Sequence, residues 1–535
     1  MSEITKTAAT ETAPYPQYMR IVFAVVIVGS YFFGLSIPLV GPDEPRYAEV
    51  AREMFERGDW ITPTLGGFPW FEKPALLYWL EIVSYHIFGV NEFAARLGPA
   101  LCGLGIIACL WVLGRKLSAH REPTDDTSNA GSKEQMVFAD LLALIAASTL
   151  SIIIFSHGAT FDIVVTFTLT ASLVSFFIFD RAIGKTSLLR QLSLVAFYFF
   201  IGASLLAKGL IGAVFPFAIV ALYYVLSWKR PPKTFSMSLL WGCLLAAAVT
   251  AVWYVPMYLR HGLTFIDQFI IQQHFRRFTS NKYQHPQPFY FFFWVLPLMT
   301  LPWLPFFLAG IWQSLKDLFT ATAASPAAAP GSPAASSSSP SPLLLFSSSP
   351  LLLLSSAWLL VPLVFFTFSG SKLPGYILPA VPPAVIISAV YAFQLVKRDR
   401  RWASVVPITA LAMFTFIILA TPNVAPRYID AQSVKPLIVA AEESGHTAES
   451  IFGMHTVAQG LEFYAAGRLI REPDGTQRKF ESVSDLEREM RRMDIGKALV
   501  VLPRQDIPEL IGYYMFDVDV LGDNGKLAIV AIALK

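Results

Sequence analysis

Cysteine is nearly absent from this chain, and charge is scarce. Three cysteines occur in 535 residues, Cys102, Cys109 and Cys243, all inside apolar runs. None has the CxxC or Cys/His spacing of a zinc or redox motif, so thiol, zinc and disulfide chemistry are excluded as the basis of function. Charged residues make up 15% of the chain, against about 25% in ordinary soluble domains. A net charge of +3 is too small to draw a nucleic acid, so no such partner is expected. What the chain has instead is apolar: 54% hydrophobic residues, 43 of them Phe, in long runs recurring from Ile21 to Ala420. That composition belongs to a polytopic, mainly α-helical membrane protein.

The few charges are unevenly placed. Residues 422–535 hold 13 Lys+Arg and 17 Asp+Glu, 30 charges in 114 residues, whereas residues 1–421 hold 49 in 421. A membrane domain, 1–421, is therefore expected to precede a soluble one, 422–535. In the latter, β-like runs at Ala498 to Leu502 and Leu527 to Leu534 flank a charged helix-like run from Ser482 to Met493, which predicts a small α/β domain. The Ala/Ser/Pro-rich stretch 322–350 reads as a flexible linker.

A span needs roughly 20 apolar residues. Eleven are expected, at approximately 18–40, 92–114, 136–155, 160–180, 190–206, 209–227, 238–258, 288–312, 343–367, 375–395 and 402–421. The first run lacks an A-x-A cleavage site and is expected to be retained as a span. With the N-terminus taken as cytoplasmic, 17 of the 28 Lys and Arg of residues 1–421 fall in inside loops, the bias that sets orientation. An odd number of spans then places residues 422–535 outside, in the periplasm of a bacterium, with the chain a multi-pass protein of the inner membrane.

The informative polar residues lie on the exterior side. The first exterior loop, GPDEPRYAEVAREMFERGDWITPTLGGFPWFEKPALLYWL, opens on Asp43 and Glu44. Adjacent carboxylates at a membrane surface can act as base, metal ligand or partner of a cation; the plainer reading is helix capping, with Pro45 suited to a first helical turn. Tyr47, Val50, Ala51 and Met54 form an i, i+3, i+4, i+7 stripe, which predicts an amphipathic interfacial helix. Glu72-Lys73-Pro74 follows between aromatic residues, either an interfacial anchor or a phosphate site. On the same side fall Asp162 in HGATFD, Lys208 in LLAKGL, His274, Arg276 and Arg277 in QQHFRRF, and Lys372 and Tyr376 in GSKLPGYILP. Lys208 is the strongest single signal: a cation near membrane depth costs about 2.5–3.5 kcal/mol on insertion scales, although a lysine snorkelling from a tight turn is the bland alternative. Cations from four exterior segments, with carboxylates on the same face, suit a lipid-linked phosphate: cations stabilise charge on a leaving phosphate and carboxylates position or deprotonate an acceptor.

The stretch GPDEPRYAEVAREMFERGDWITPTLGG followed by WFEKPALLYWL closely resembles the first periplasmic loop of the ArnT-like glycosyltransferases, and SKLPGYILP and HFRRF are similar to further segments of that family. The resemblance runs from about residue 20 to 395. It implies a GT-C fold of about 11–13 transmembrane helices with periplasmic juxtamembrane helices, and a polyprenyl-phosphate-linked sugar as donor. It implies catalytic roles for Asp43, Glu44 and Asp162, and donor-phosphate or substrate binding by Arg46, Lys73, Lys208, Arg277, Lys372 and Tyr376. It also implies a divalent metal at Glu72 and His274, though one carboxylate and one imidazole are an incomplete ligand set; no other cofactor is expected.

The expected activity is inverting transfer of a sugar, by resemblance 4-amino-4-deoxy-L-arabinose, from undecaprenyl phosphate to a periplasmic acceptor such as lipid A, with membrane lipids as surroundings. Two alternatives are a protein O-mannosyltransferase, which shares the fold and the acidic pair, and a transporter or flippase of a polyprenyl-linked sugar. A transporter predicts charges near the midplane and internal repeats; here the charges cluster on one side and no repeat is seen.

Overall fold

In the computed structural model, residues 15–117, 127–182, 187–276, 287–323, 349–423, 429 and 432–535 are described. Most of the 322–350 stretch therefore lies outside the described residues.

In chain order the elements are α1 (Gln17–Phe32), α2 (Asp43–Arg57), the hairpin β1 (Thr64–Leu65) and β2 (Phe68–Pro69), α3 (Leu76–Phe88), α4 (Glu92–Lys116), α5 (Thr127–Ala147), α6 (Leu150–Ser156), α7 (Phe161–Arg181), α8 (Ser187–Lys208), α9 (Ile211–Leu226) and α10 (Lys233–Phe265). Then follow α11 (Phe291–Met299), α12 (Leu304–Ala323), α13 (Pro350–Thr367), a 3₁₀ turn (Pro374–Ala380), α14 (Val381–Arg398) and α15 (Trp402–Asn423). The remainder is α16 (Lys435–Glu443), β3 (Ile451–Met454), α17 (Leu461–Tyr464), β4 (Lys479–Phe480), α18 (Val483–Arg492), β5 (Lys497–Pro503), α19 (Ile507–Ile511), β6 (Phe516–Asp523) and β7 (Leu527–Leu534).

Among the described residues seven helices are long and apolar enough to cross a bilayer, and two bent pairs, within α5–α6 at 58° and α11–α12 at 117°, raise the number to nine. Helices α1 and α9 are apolar but have 16 residues each, a rise of about 24 Å against a hydrocarbon core of roughly 30 Å. Each of the eleven expected spans thus falls on one helix or one bent pair. This is a multi-pass membrane protein.

The chain divides into two units, one of residues 1–31, 101–156 and 161–415, the other of 32–100, 157–160 and 416–535. In the first, the breaks of the two bent pairs satisfy one another. Leu150 N donates to Leu301 O at 2.7 Å, Ser151 Oγ to Met299 O at 2.8 Å, and Trp303 Nε1 to Ser148 Oγ at 3.1 Å. Broken helices are tolerated at membrane depth when protein supplies the missing partners. Nearby in chain order, Asp180 at the end of α7 is buried, with Tyr223 and Tyr224 donating to its two oxygens at 2.8 and 3.1 Å. Phe176 packs edge-on against both tyrosines, Phe235 is tilted against Tyr224, and Phe197 packs on Phe176 behind them.

In the second unit, the expected stripe on α2 is buried: Tyr47, Val50, Ala51 and Met54 are all inside. Off the stripe, Glu44, Glu49 and Arg52 are buried as well. The helix ends at Gly58, whose left-handed φ of 64° lets its N–H close the last turn. The C-terminal part is the expected α/β fold, a five-stranded sheet ordered β4-β3-β5-β7-β6. Strand β3 runs parallel to β4 and β5, and β7 runs antiparallel to β5 and β6. Alternation along β5 sends Val500 and Leu502 to one core with Met490 of α18, and Leu499 and Val501 to another with Leu437 of α16. Ser482 caps α18 by accepting from Asp485 N.

Candidate functional site

Helix α2 starts abruptly at Asp43 after Pro42, and no side chain caps it. Capping is therefore not what Asp43 does. Its carboxylate receives Arg46 Nη2 at 2.8 Å one turn later, and its side chain stays 46% exposed. Arg46 also lies over the rings of Trp70 and Tyr47, at 5.7 and 6.0 Å. Burial works against the Arg46 charge, yet Glu72, Tyr47 and Asp43 hold its pKa above the ordinary range. Burial raises the Tyr47 hydroxyl far above the usual phenol range, and the Asp43 and Glu72 carboxylates add to the rise. These shifts put Asp43, Arg46, Tyr47 and Glu72 in one electrostatic neighbourhood. Two buried donors there, Arg46 Nε and Trp70 Nε1, have no hydrogen-bond acceptor among the described residues. Lys73 and Glu72 are both half-buried at the start of the EKP turn.

Glu44, next to Asp43, turns the other way. Arg96 of α4 grips it from two sides, Nε to Oε1 at 3.0 Å and Nη2 to Oε2 at 2.8 Å. Val40 N and Ala159 N donate to the same carboxylate at 3.0 and 2.8 Å. Arg96 in turn donates to the carbonyls of Leu35, Ile37 and Pro38 at 3.0, 2.5 and 3.0 Å. Glu44 thereby ties the chain before α2 and the 157–160 turn to Arg96, and its own oxygens are taken. Arg96 did not stand out in the sequence, although a guanidinium close to the start of an apolar span is the kind of signal that marked Lys208.

In the first unit, Lys208 is the last residue of α8 and Asp162 lies in the first turn of α7. They form an ion pair, and the Lys208 ammonium sits 5.2 Å from the centre of the Tyr376 ring. Gly209, with φ of 72°, turns the chain immediately after Lys208. Gly375 presses against the Asp162 carboxylate so closely that no Cβ could fit. Three expected residues, Asp162, Lys208 and Tyr376, are thus brought together. Lys372 is buried beside them in sequence, but its ammonium donates to the carbonyls of Ser369 at 2.8 Å and Gln287 at 3.5 Å.

His274 belongs to a wide helical segment, Ile266–Arg276, and its side chain lies outside the described residues, as does Arg277 altogether. Among the described residues no three His, Cys, Asp or Glu side chains gather as metal ligands. Of the two expected metal ligands, Glu72 is the one whose side chain is described.

The fold has solved counterparts. The crystal structure of ArnT from Cupriavidus metallidurans bound to undecaprenyl phosphate matches with a TM-score of 0.75 over 97% of this chain and 98% of that one, at 21% identity. Its apo state gives 0.74. Residues 21–124 match the family model described as dolichyl-phosphate-mannose-protein mannosyltransferase. Among curated relatives, the undecaprenyl phosphate-alpha-4-amino-4-deoxy-L-arabinose arabinosyl transferase of Aeromonas salmonicida is 30% identical over 387 residues, 72% of this chain and 61% of the relative. That of Shewanella sediminis is 27% identical over 401 residues, 74% of this chain and 64% of the relative. The match thus spans about three-fifths of the length of these relatives. The chain is a polytopic membrane protein of the GT-C fold. In fold it is like the ArnT structures, and over 72% of its length its sequence is similar to the arabinosyl transferase of Aeromonas salmonicida.

Proposed function

We propose that this protein is an inverting glycosyltransferase that moves a sugar from undecaprenyl phosphate to an acceptor on the periplasmic side. By likeness to the named relatives the sugar is 4-amino-4-deoxy-L-arabinose and the acceptor lipid A. The observation that carries the reading is Lys208: an ammonium at the end of an apolar helix, steadied by Asp162 and the Tyr376 ring rather than released to water. A steadied point charge at membrane depth suits the phosphate of a lipid.

The acceptor oxygen attacks the anomeric carbon while the bond from that carbon to the phosphate oxygen breaks. The phosphate departs with the electron pair, and one displacement inverts the centre. Lys73, Lys208, Arg277 and Lys372 are assigned to the phosphate, Tyr376 to the donor cavity, and Arg46 to the donor beside Asp43. Asp162 keeps Lys208 in place. If the acceptor is a phosphate of lipid A, it arrives ionised and Asp43 orients it; if it is a hydroxyl, Asp43 takes its proton. Glu44 holds α2 in place and acts through Asp43. The protein sits in the inner membrane with a cytoplasmic N-terminus, residues 1–421 forming the transferase domain and 422–535 a periplasmic domain.

The family-model match over residues 21–124 favours one second reading, mannosyl transfer from a polyprenyl phosphate to a protein hydroxyl. Purified protein in detergent, offered undecaprenyl-phosphate aminoarabinose with lipid A or polyprenyl-phosphate mannose with a Ser/Thr peptide, separates the two. Aminoarabinosyl lipid A from wild type and none from Asp43→Asn, with an unchanged melting midpoint, is the expected result. Normal turnover by Asp43→Asn removes Asp43 from the reaction, and product only from the mannosyl donor replaces the first reading by the second.

A further inference from the structure

The chain leading into α2 is held by the C-terminal part of the same unit. Leu39 N donates to Tyr464 Oη at 2.8 Å. Tyr464 Oη donates in turn to Glu92 Oε1 at 3.1 Å, and Lys435 Nζ reaches the same oxygen at 2.5 Å. Leu39 lies four residues before Asp43, and Val40 N is already committed to Glu44. About two and a half turns into α2, Arg52 Nη1 donates to Phe463 O at 3.0 Å and its guanidinium lies 5.6 Å from the Phe463 ring. Further on, the β1–β2 turn meets the same neighbourhood. Gly66, at φ of 63°, lies under the Arg471 guanidinium with no room for a side chain, and Arg471 is itself paired with Glu462. Helix α17 and its flanks therefore touch the first loop before α2, within it and after it.

We propose that Tyr464 is a positioning residue for the transfer reaction: by fixing the Leu39 amide and Glu92 together it sets where α2 begins, and so where Asp43 points. This rests on the proposed transferase reading. The geometry favours positioning over mere packing for two reasons. The bonds run to backbone and to a buried carboxylate, which fix direction, whereas packing would be served by the ring alone. The tethered segment also ends at the residue assigned to the chemistry. A misplacement of about 1 Å at a reacting group costs on the order of 100-fold in rate, so a single tether in this place is disproportionately important.

Tyr464→Phe keeps the ring and removes the hydroxyl. In the full-length protein we expect kcat to fall roughly tenfold, the rate equivalent of about 1.4 kcal/mol, with KM for the donor lipid unchanged. Lys435→Met, which removes the second hold on Glu92, should lower kcat in the same direction and less. Unchanged kcat in both variants, or a lower melting midpoint with normal kcat, would overturn the assignment. If Tyr464→Phe fails to fold, Lys435→Met, at a half-exposed site, decides the question alone. A wild type without transfer to any acceptor refutes the transferase reading instead, so the two failures are distinguishable.

Discussion

Replacing Arg96 by Met tests whether Glu44 is a buried anchor. Arg96 is 1% exposed and makes five contacts, two to the Glu44 carboxylate and three to the carbonyls of Leu35, Ile37 and Pro38. Methionine fills similar volume with no donor. Glu44, itself 7% exposed, would be left as a buried carboxylate without its cation, a loss worth about 3–5 kcal/mol. Each carbonyl deprived of its donor adds roughly 1 kcal/mol. Even a discounted loss of about 4 kcal/mol lowers the melting midpoint of a unit this size by at least about 8 °C, at roughly 2–4 °C per kcal/mol. The assay is fluorescence-detected melting of the detergent-solubilised protein. Glu44→Leu with Arg96→Met removes both charges, and the pair should melt well above the Arg96→Met single variant, because no lone charge remains buried. A single variant melting within about 2 °C of wild type would refute the reasoning. A double variant that regains stability and some transfer keeps Glu44 as an anchor; regained stability with no transfer makes Glu44 part of the chemistry.

Lys208→Met should weaken binding of undecaprenyl phosphate by about 10- to 100-fold, the worth of a hydrogen bond to a charged group, read by binding of the free lipid phosphate; unchanged affinity would reduce Lys208 to a feature of topology. Glu49 offers a pH test. Burial pushes it up to about 8 despite Arg52 beside it, from an ordinary 4.5. The folded protein therefore binds a proton that the unfolded chain has released between those values, so stability falls as pH rises from about 4.5 to 8. Glu49→Gln should remove that slope, and its midpoint should overtake wild type as pH approaches 8; parallel melting curves for the two would contradict the assignment.

The elements that the sequence made legible are those written in one-dimensional periodicity. Apolar runs put each expected span on one helix or one bent pair, and the short apolar runs ALVVL and LAIVAIAL placed β5 and β7. Lys208 was legible because a cation is costly where its neighbours are apolar, and a partner such as Asp162 follows from that cost. The α2 stripe was legible, but the burial of Glu49 and Arg52 was not: helical periodicity says which residues share a face, and says nothing of a neighbour 411 positions away such as Phe463, which covers the polar face. The same holds for Arg96, whose partner lies 52 positions earlier. The bent pairs were read as straight spans because their breaks are repaired by partners 148 and 155 positions distant.

The Asp43–Glu44 pair shows how adjacent residues of like chemistry come to differ in role. Consecutive helical positions are about 100° apart around the axis, so at the start of α2 one carboxylate can face solvent while the next enters the protein. The inward one must be paired and fully hydrogen-bonded to be tolerated, and Arg96, Val40 N and Ala159 N meet that demand at Glu44. Those same bonds make Glu44 unavailable and hold α2 in place. The outward one needs no such set, and its ion pair with Arg46 leaves nearly half of its side chain exposed. A group that must meet an incoming acceptor has to be fixed in direction and open in coordination; Glu44 and Arg96 are fixed but closed, and by holding α2 they leave Asp43 both fixed and open.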